Sequence, residues 1–195
     1  FKKDMNYKNW DDTELIGSLL FLRKNHSKKF SSIYDNIQGT VAINKILVDN
    51  NLHVIAANFL GVNPETIIHY NSFLRIDPPN DDKNNLPWHQ DPQLNKKDKF
   101  DACTFWCPLV DIDDQIGPLQ VLINTDKKIY ASDKRRRLNK NITKELLKKH
   151  KLKKIKIKKN AGFLYKNLLV HKSGFNISNK IRFVLVFHFN KMIKN

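Results

Sequence analysis

The stretch 86-LPWHQDP-92 places His89 and Asp91 two residues apart, between Pro87 and Pro92. Each proline pushes the residue before it toward extended geometry. In an extended chain, side chains two apart project to the same side. An imidazole nitrogen and a carboxylate oxygen then converge on one point, where both can hold a metal ion. A helix would turn them roughly 200° apart about its axis. The pair by itself is weak evidence, because a chain with seven His and sixteen Asp produces such a spacing by chance. Its meaning depends on a third ligand.

That ligand is expected at His171, which ends the apolar run 168-LLVH-171, with Arg182 eleven residues further on at the start of 181-IRFVLVFHF-189. If these two runs pair as an antiparallel hairpin centred between Asn176 and Ile177, His171 and Arg182 stand nearly opposite one another. Opposite residues in such a pair share a face about 5 Å apart. Two imidazoles and one carboxylate on one side of a metal leave three positions open, a pattern that suits non-haem Fe(II) oxygenases. Two positions can take the keto-acid end of 2-oxoglutarate and the third O₂. The planar, permanently charged fork of Arg182 suits the far carboxylate of that co-substrate better than a lysine would. The chain has 29 Lys and only 6 Arg, so an arginine here is not what its composition favours.

The elements that must position these residues change character near residue 66. Before it, apolar residues recur at spacings of three and four (Leu15, Leu19 and Leu22; Val41, Ile46 and Leu47; Val54, Ala57 and Leu60), which predicts three or four short helices. Asp11, Asp12 and Thr13 offer caps for the first, and Gly39 and Gly61 fall at helix ends. After residue 66 the pattern is mostly strand, with candidates at 67–76, 86–91, 102–112, 118–123, 153–159, 162–167, 168–171 and 181–189. A short helix is expected over 143–151 with Thr143 as its cap, after a basic loop over 134–142. The expected fold is a mainly β jelly roll, or double-stranded β-helix, of residues 67–195, packed by helices from residues 1–66 into a single domain.

Composition sets the outer bounds. A chain of 195 residues with 41% hydrophobic content can bury one full core. No apolar run reaches the roughly 18 residues that would span a bilayer, and the first residues are polar, so a soluble cytoplasmic protein is expected. Cys103 and Cys107 would lie about 13 Å apart on one strand face, too far for a disulfide, and read as inert packing thiols. The net charge of +16 invites a nucleic-acid reading. However, the densest basic stretch, 134–159, contains no Phe, Tyr or Trp on which bases could stack. Its charge reads as solvated, and nucleic acid is an unlikely partner by this criterion. His69, His150 and His188 read as packed or solvated, with a place facing the cavity as the alternative for His188, which shares the parity of Arg182.

The segments 88-WHQD-91, 105-FWCPLVDIDDQIGPLQVL-122 and 161-AGFLYKNLLVHKSGFNISNKIRF-183 together resemble the phytanoyl-CoA dioxygenase family of Fe(II)/2-oxoglutarate oxygenases. The resemblance spans roughly residues 67–190 and implies iron held by His89, Asp91 and His171, with Arg182 gripping the distal carboxylate of 2-oxoglutarate. It further implies that Trp106 and Ser173 line the co-substrate pocket, that Gln90 touches co-substrate or substrate, and that Gly117 and Pro118 form a structural turn. The sequence departs from the family in reading INTDKK where a Gly-Ser-His turn is usual, and Gly162-Phe163 where Gly-Asp is common. Retention of Asp91 favours hydroxylation or a related oxidation, and a small-molecule metabolite is the expected substrate, with succinate and CO₂ as co-products. A jelly-roll metal protein without oxygenase activity, an isomerase or a binding module, is the alternative. The primary substrate and the oligomeric state are not legible.

Overall fold

Strand β7, Arg182–Lys191, is apolar on both faces and buried along nearly its whole length, so it needs a neighbour on each edge and a layer on each side. The computed structural model, which describes residues 13–48, 50–91, 102–133 and 137–192, supplies all four. Strand β1 (Ile67–Asp77) pairs antiparallel with one edge, and β2 (Ala102–Pro108) with the other. Strand β5 (Phe163–Lys166) completes a sheet of order β1-β7-β2-β5. A second sheet, of order β4-β3-β6, comprises β4 (Leu152–Ile155), β3 (Leu119–Leu122) and β6 (His171–Lys172).

The period-two alternation of β7 divides the protein into layers. Phe183, Leu185, Phe187 and Phe189 face one way, packing with Leu74, Ile76 and Cys103 against Leu19, Phe30, Ala56 and Ala57 of the helices. Val184 and Val186 face the other way, into a core shared with Trp106, Leu119, Val121, Ile155 and Tyr165 between the sheets. The helices are α1 (Thr13–Asn25), α2 (Ser27–Ile37), α3 (Val41–Leu47) and α4 (Asn50–Leu60). Gly61 follows α4 with φ +68°, and Gly39 follows α2, as expected of helix ends. Asp11 and Asp12 lie outside the described residues. The architecture is the expected jelly roll with a helical lead-in. Both cysteines are free, and burial pushes their thiols up to about 12.

Several expectations are corrected. Residues 168–171 and 181–189 do not form a hairpin: β6 pairs with β3, through Val121 opposite His171, while β7 lies in the other sheet. The reason is the two-sided apolarity of β7, which belongs at the centre of the larger sheet. The segment meant as a hairpin turn crosses between sheets, and Asn176 is buried there, donating to Asp77 O at 3.0 Å and Lys180 O at 2.8 Å. Residues 168–170 precede the strand, and 86–91 makes only single bridges, from His89 to Arg137 and to His171. Strands expected over 102–112 and 153–159 end at Pro108 and Ile155. The later helix, α5, runs Lys140–Lys149 and is capped by Asn139, whose side chain accepts from Asn141 N at 2.8 Å, so Thr143 sits inside the helix.

This layering makes a contrast that chemical denaturation can read. Phe187 is almost wholly buried between β7 and the helices, whereas Phe21 on α1 is 58% exposed. Phe187→Ala is expected to cost about 3–5 kcal/mol of unfolding free energy, and Phe21→Ala less than about 0.5 kcal/mol.

Candidate metal centre

The HxD segment is held to the second sheet by backbone hydrogen bonds. His89 and His171 exchange both of theirs, His89 N to His171 O at 2.9 Å and His171 N to His89 O at 3.0 Å. Asp91 N donates to Asn167 O, and Leu138 N to Trp88 O, each at 2.9 Å. Directly opposite residues of an antiparallel pair share a face, so the two imidazoles lie against one another with ring centroids 4.1 Å apart. Asp91 joins them by the two-residue spacing. Its Oδ1 is 3.7 Å from His89 Nε2 and 3.5 Å from His171 Nε2. All three side chains are buried, and His89, Asp91 and His171 are the one group of three ligating side chains found among the described residues.

The orientation of the rings suits metal binding. His89 Nδ1 lies 2.7 Å from Pro87 O and His171 Nδ1 2.8 Å from Leu169 O. A carbonyl only accepts, so each Nδ1 carries the proton and, in the neutral ring, each Nε2 turns a lone pair toward the shared point. Burial and the neighbouring His171 push His89 down to about 4, which keeps it neutral. Burial alone would raise Asp91, but His171 and further donors hold it well below the usual carboxylate range. Burial would lower His171, but the Asp91 carboxylate raises it above the usual imidazole range, so a metal at the shared point would take the place of its Nε2 proton. Two imidazoles and one carboxylate are then a donor set that iron, zinc or manganese can use.

The other oxygen of Asp91 is steered from the first sheet. Oδ2 accepts from Thr104 Oγ1 at 2.7 Å and Tyr165 Oη at 3.1 Å, and His188 Nε2 approaches to 3.8 Å. Tyr165 Oη also lies 3.3 Å from His171 Nε2. Burial, then Asp91, raises Tyr165 well above the usual phenol range, so it remains a donor. The sequence assigns Thr104 and Tyr165 no role, and it leaves His188 as packed or solvated with the cavity face, on the parity of Arg182, as the alternative. The available signal was parity, since Thr104 shares the face of Trp106 on β2 and His188 that of Arg182 on β7.

Next to this centre lies a cluster of buried charges. Arg182 is not opposite His171 but opposite Asp77 of β1. It shares the inward face of Val184 and donates from Nε and Nη2 to Asp77 Oδ2 at 3.1 and 2.9 Å. Its Nη1 donates to Gly174 O at 2.8 Å and also to Gly117 O. Arg75, which the sequence reading missed, donates to the same carboxylate at 3.1 and 3.3 Å, to Ser173 Oγ at 3.1 Å and to Asn84 O at 2.6 Å. Its charge acts on both imidazoles and on Tyr165. Gly117 has φ +86°, and a Cβ there would lie 2.7 Å from Arg182 Nη1, so only glycine fits the turn.

Ser173 therefore stands by the site, through Arg75, and Trp106 lies on the inward face that also carries Thr104. Gln90 does not. The alternation that turns His89 and Asp91 inward turns Gln90 the opposite way. Its amide nitrogen donates to Lys128 O and Leu168 O at 2.9 and 2.5 Å, and its oxygen accepts from Tyr130 N at 2.9 Å. It braces the loop around residue 128 against the second sheet.

Solved structures share this architecture. The chain superposes on AviO1 from Streptomyces viridochromogenes Tue57 with a TM-score of 0.61 at 16% identity, over 75% of this chain and 60% of that one. The epimerase SnoN, in complex with Fe3+, alpha ketoglutarate and nogalamycin RO, gives a TM-score of 0.63 at 13% identity, over 80% and 61%. EctD from S. alaskensis, with 2-oxoglutarate and 5-hydroxyectoine, gives 0.60 at 19%, over 76% and 51%. The chain thus spans about three-fifths or less of the length of these relatives. Among curated proteins, none matches. The sequence profile of the family described as Phytanoyl-CoA dioxygenase (PhyH) matches residues 17–184, a span that holds the whole His89–Asp91–His171 group and the arginine pair. The chain belongs to the phytanoyl-CoA dioxygenase (PhyH) family.

Proposed function

We propose that this protein is an Fe(II)/2-oxoglutarate-dependent dioxygenase that hydroxylates a small-molecule metabolite, with O₂ as oxidant and succinate and CO₂ as co-products. The observation that carries this reading is the pair of imidazoles whose Nε2 lone pairs meet the Asp91 carboxylate beside a buried guanidinium pair. In the balanced reaction one oxygen atom of O₂ enters the substrate C–H bond and the other enters succinate, while 2-oxoglutarate loses CO₂ and supplies two electrons. Ferrous iron supplies the activation of O₂ and the chelation of the keto acid.

The chain's own residues supply position and dryness. His89 and His171 through Nε2 and Asp91 through Oδ1 would hold the ion. Thr104 and Tyr165 fix which Asp91 oxygen faces it, so the carboxylate need not reorient on binding. Arg182 receives the distal carboxylate of the co-substrate, with Ser173 joined to the cluster through Arg75 and Trp106 further along the same inward face. Val184, Val186, Leu119 and Val121 of the inter-sheet core exclude water on that side. A metal-holding jelly roll without oxygenase chemistry is the competing class. Succinate release decides between them. Nucleic acid has no part in this reading: Lys154 and Lys156 of the basic stretch pair with Asp114, and Lys158 pairs with Asp111.

Purified protein supplied with Fe(II), 2-oxoglutarate and O₂ is expected to release succinate. His89→Ala, Asp91→Ala and His171→Ala should each abolish that release together with stoichiometric metal binding. Full turnover in any of the three would refute the ligand set. Arg182→Ala should raise the concentration of 2-oxoglutarate needed for half-maximal succinate formation by about 10- to 150-fold, as expected for loss of a charge-assisted hydrogen bond. Arg182→Lys should recover little of it, because a lysine cannot present a planar fork. An unchanged requirement for 2-oxoglutarate in either variant would remove Arg182 from its role.

A further inference from the structure

The cluster beside the metal centre contains two guanidiniums and one carboxylate. Arg75, Asp77 and Arg182 are between 4% and 8% exposed, so the formal charges leave one positive charge buried. A buried charge without a partner is costly, and the site therefore favours one further anionic group. Asp77 is also unevenly used. Among the described residues, Oδ2 accepts three N–H bonds, from Arg75 Nε and from Arg182 Nε and Nη2, while Oδ1 accepts only the 3.3 Å bond from Arg75. Four of the five N–H groups of Arg182 are thus engaged among the described residues, two by an internal carboxylate and two by the carbonyls of Gly117 and Gly174.

We propose that Arg75, Asp77 and Arg182 act as one anion-binding unit in which Asp77 occupies the fork in place of the co-substrate's distal carboxylate. The inference rests on the 2-oxoglutarate reading above and deepens it. A dicarboxylate binds by taking over Arg182 N–H groups from Asp77, which stays paired with Arg75. One added carboxylate neutralises the unit. A keto acid with no distal carboxylate, such as pyruvate, gains nothing from it. Asp77 sets the threshold that a ligand must exceed, and Arg75 holds the displaced carboxylate, keeping it buried and partnered. Arg75 also ties the exchange to the pocket through Ser173 Oγ. No covalent step is involved.

Two variants and two probes test this by calorimetry, without turnover. The probes are glutarate on metal-free protein, which reads the arginine unit alone, and 2-oxoglutarate with Mn(II) under anaerobic conditions. Asp77→Asn removes the internal competitor and keeps the side-chain shape. It is expected to bind both probes about tenfold or more tightly than the wild type, and pyruvate no better. Arg75→Gln leaves Asp77 to neutralise Arg182 alone and is expected to bind both probes about tenfold or more weakly. It keeps the proposal testable should Asp77→Asn fail to fold. Equal or weaker binding by a folded Asp77→Asn protein, or wild-type affinity in Arg75→Gln, would overturn the proposal. Should the variants shift glutarate affinity in the expected order while the wild type yields no succinate, the anion unit stands and the oxygenase reading falls. Should succinate form while Asp77→Asn and Arg75→Gln leave affinity unchanged, the oxygenase reading stands and the anion unit falls.

Discussion

His89 and His171 lie far apart in sequence, and the two hydrogen bonds they exchange across their backbones fix the geometry of everything nearby. That reciprocal pair sets the register of a short, otherwise irregular segment against β6. Register decides which side chains face inward, because a slip of one residue would turn Gln90 toward the centre and His89 and Asp91 away from it. The imidazoles are then locked from behind by Pro87 O and Leu169 O, each two residues earlier in the chain. A carbonyl so placed orients a ring and also chooses its tautomer. The site is thus built largely from backbone geometry, with side-chain chemistry arranged by it.

The first sheet completes the arrangement from the other side. Strand β7 carries the apolar residues that bind the helices on one face and the inward row Arg182, Val184, Val186 and His188 on the other. That row runs from the arginine pair at one end to the Asp91 carboxylate at the other. A single strand therefore spaces the anion site from the metal site, and its central place in the sheet makes the spacing rigid. Among the described residues, the helices contribute no side chain to the metal centre. Their role is to cover the outer face of β7, without which the strand could not be buried on both sides.

Charge burial is handled in two ways in the same interior. At the metal centre, one carboxylate meets two imidazoles and two hydroxyl donors, and a divalent cation held there would leave one positive charge for the keto-acid carboxylate to balance. At the arginine pair, compensation is partial, since burial lowers Arg182 despite the adjacent Asp77. One locus calls for a cation and its neighbour for an anion. A ligand with a chelating keto-acid end and a distal carboxylate satisfies both, which is the physical sense of the 2-oxoglutarate reading.

The sequence by itself determined the fold class and the family, and it singled out His89, Asp91 and His171 as the candidate ligand group that the fold brings together. The spacing of His89 and Asp91, the flanking prolines and the run ending at His171 are local signals, and local geometry is what a sequence displays most directly. The helical lead-in and most strand positions followed from periodicity for the same reason. Partner choice among strands was beyond that reach. The runs 168–171 and 181–189 are adjacent and both apolar, so they read as a hairpin, yet β7 is apolar on two faces and is stabilised only at the centre of the larger sheet. Tertiary structure alone decided that Arg182 faces Asp77, that Arg75 and His188 point inward, and that Gln90 points away. Those facts depend on which strands meet and in what register, and that is set by long-range burial.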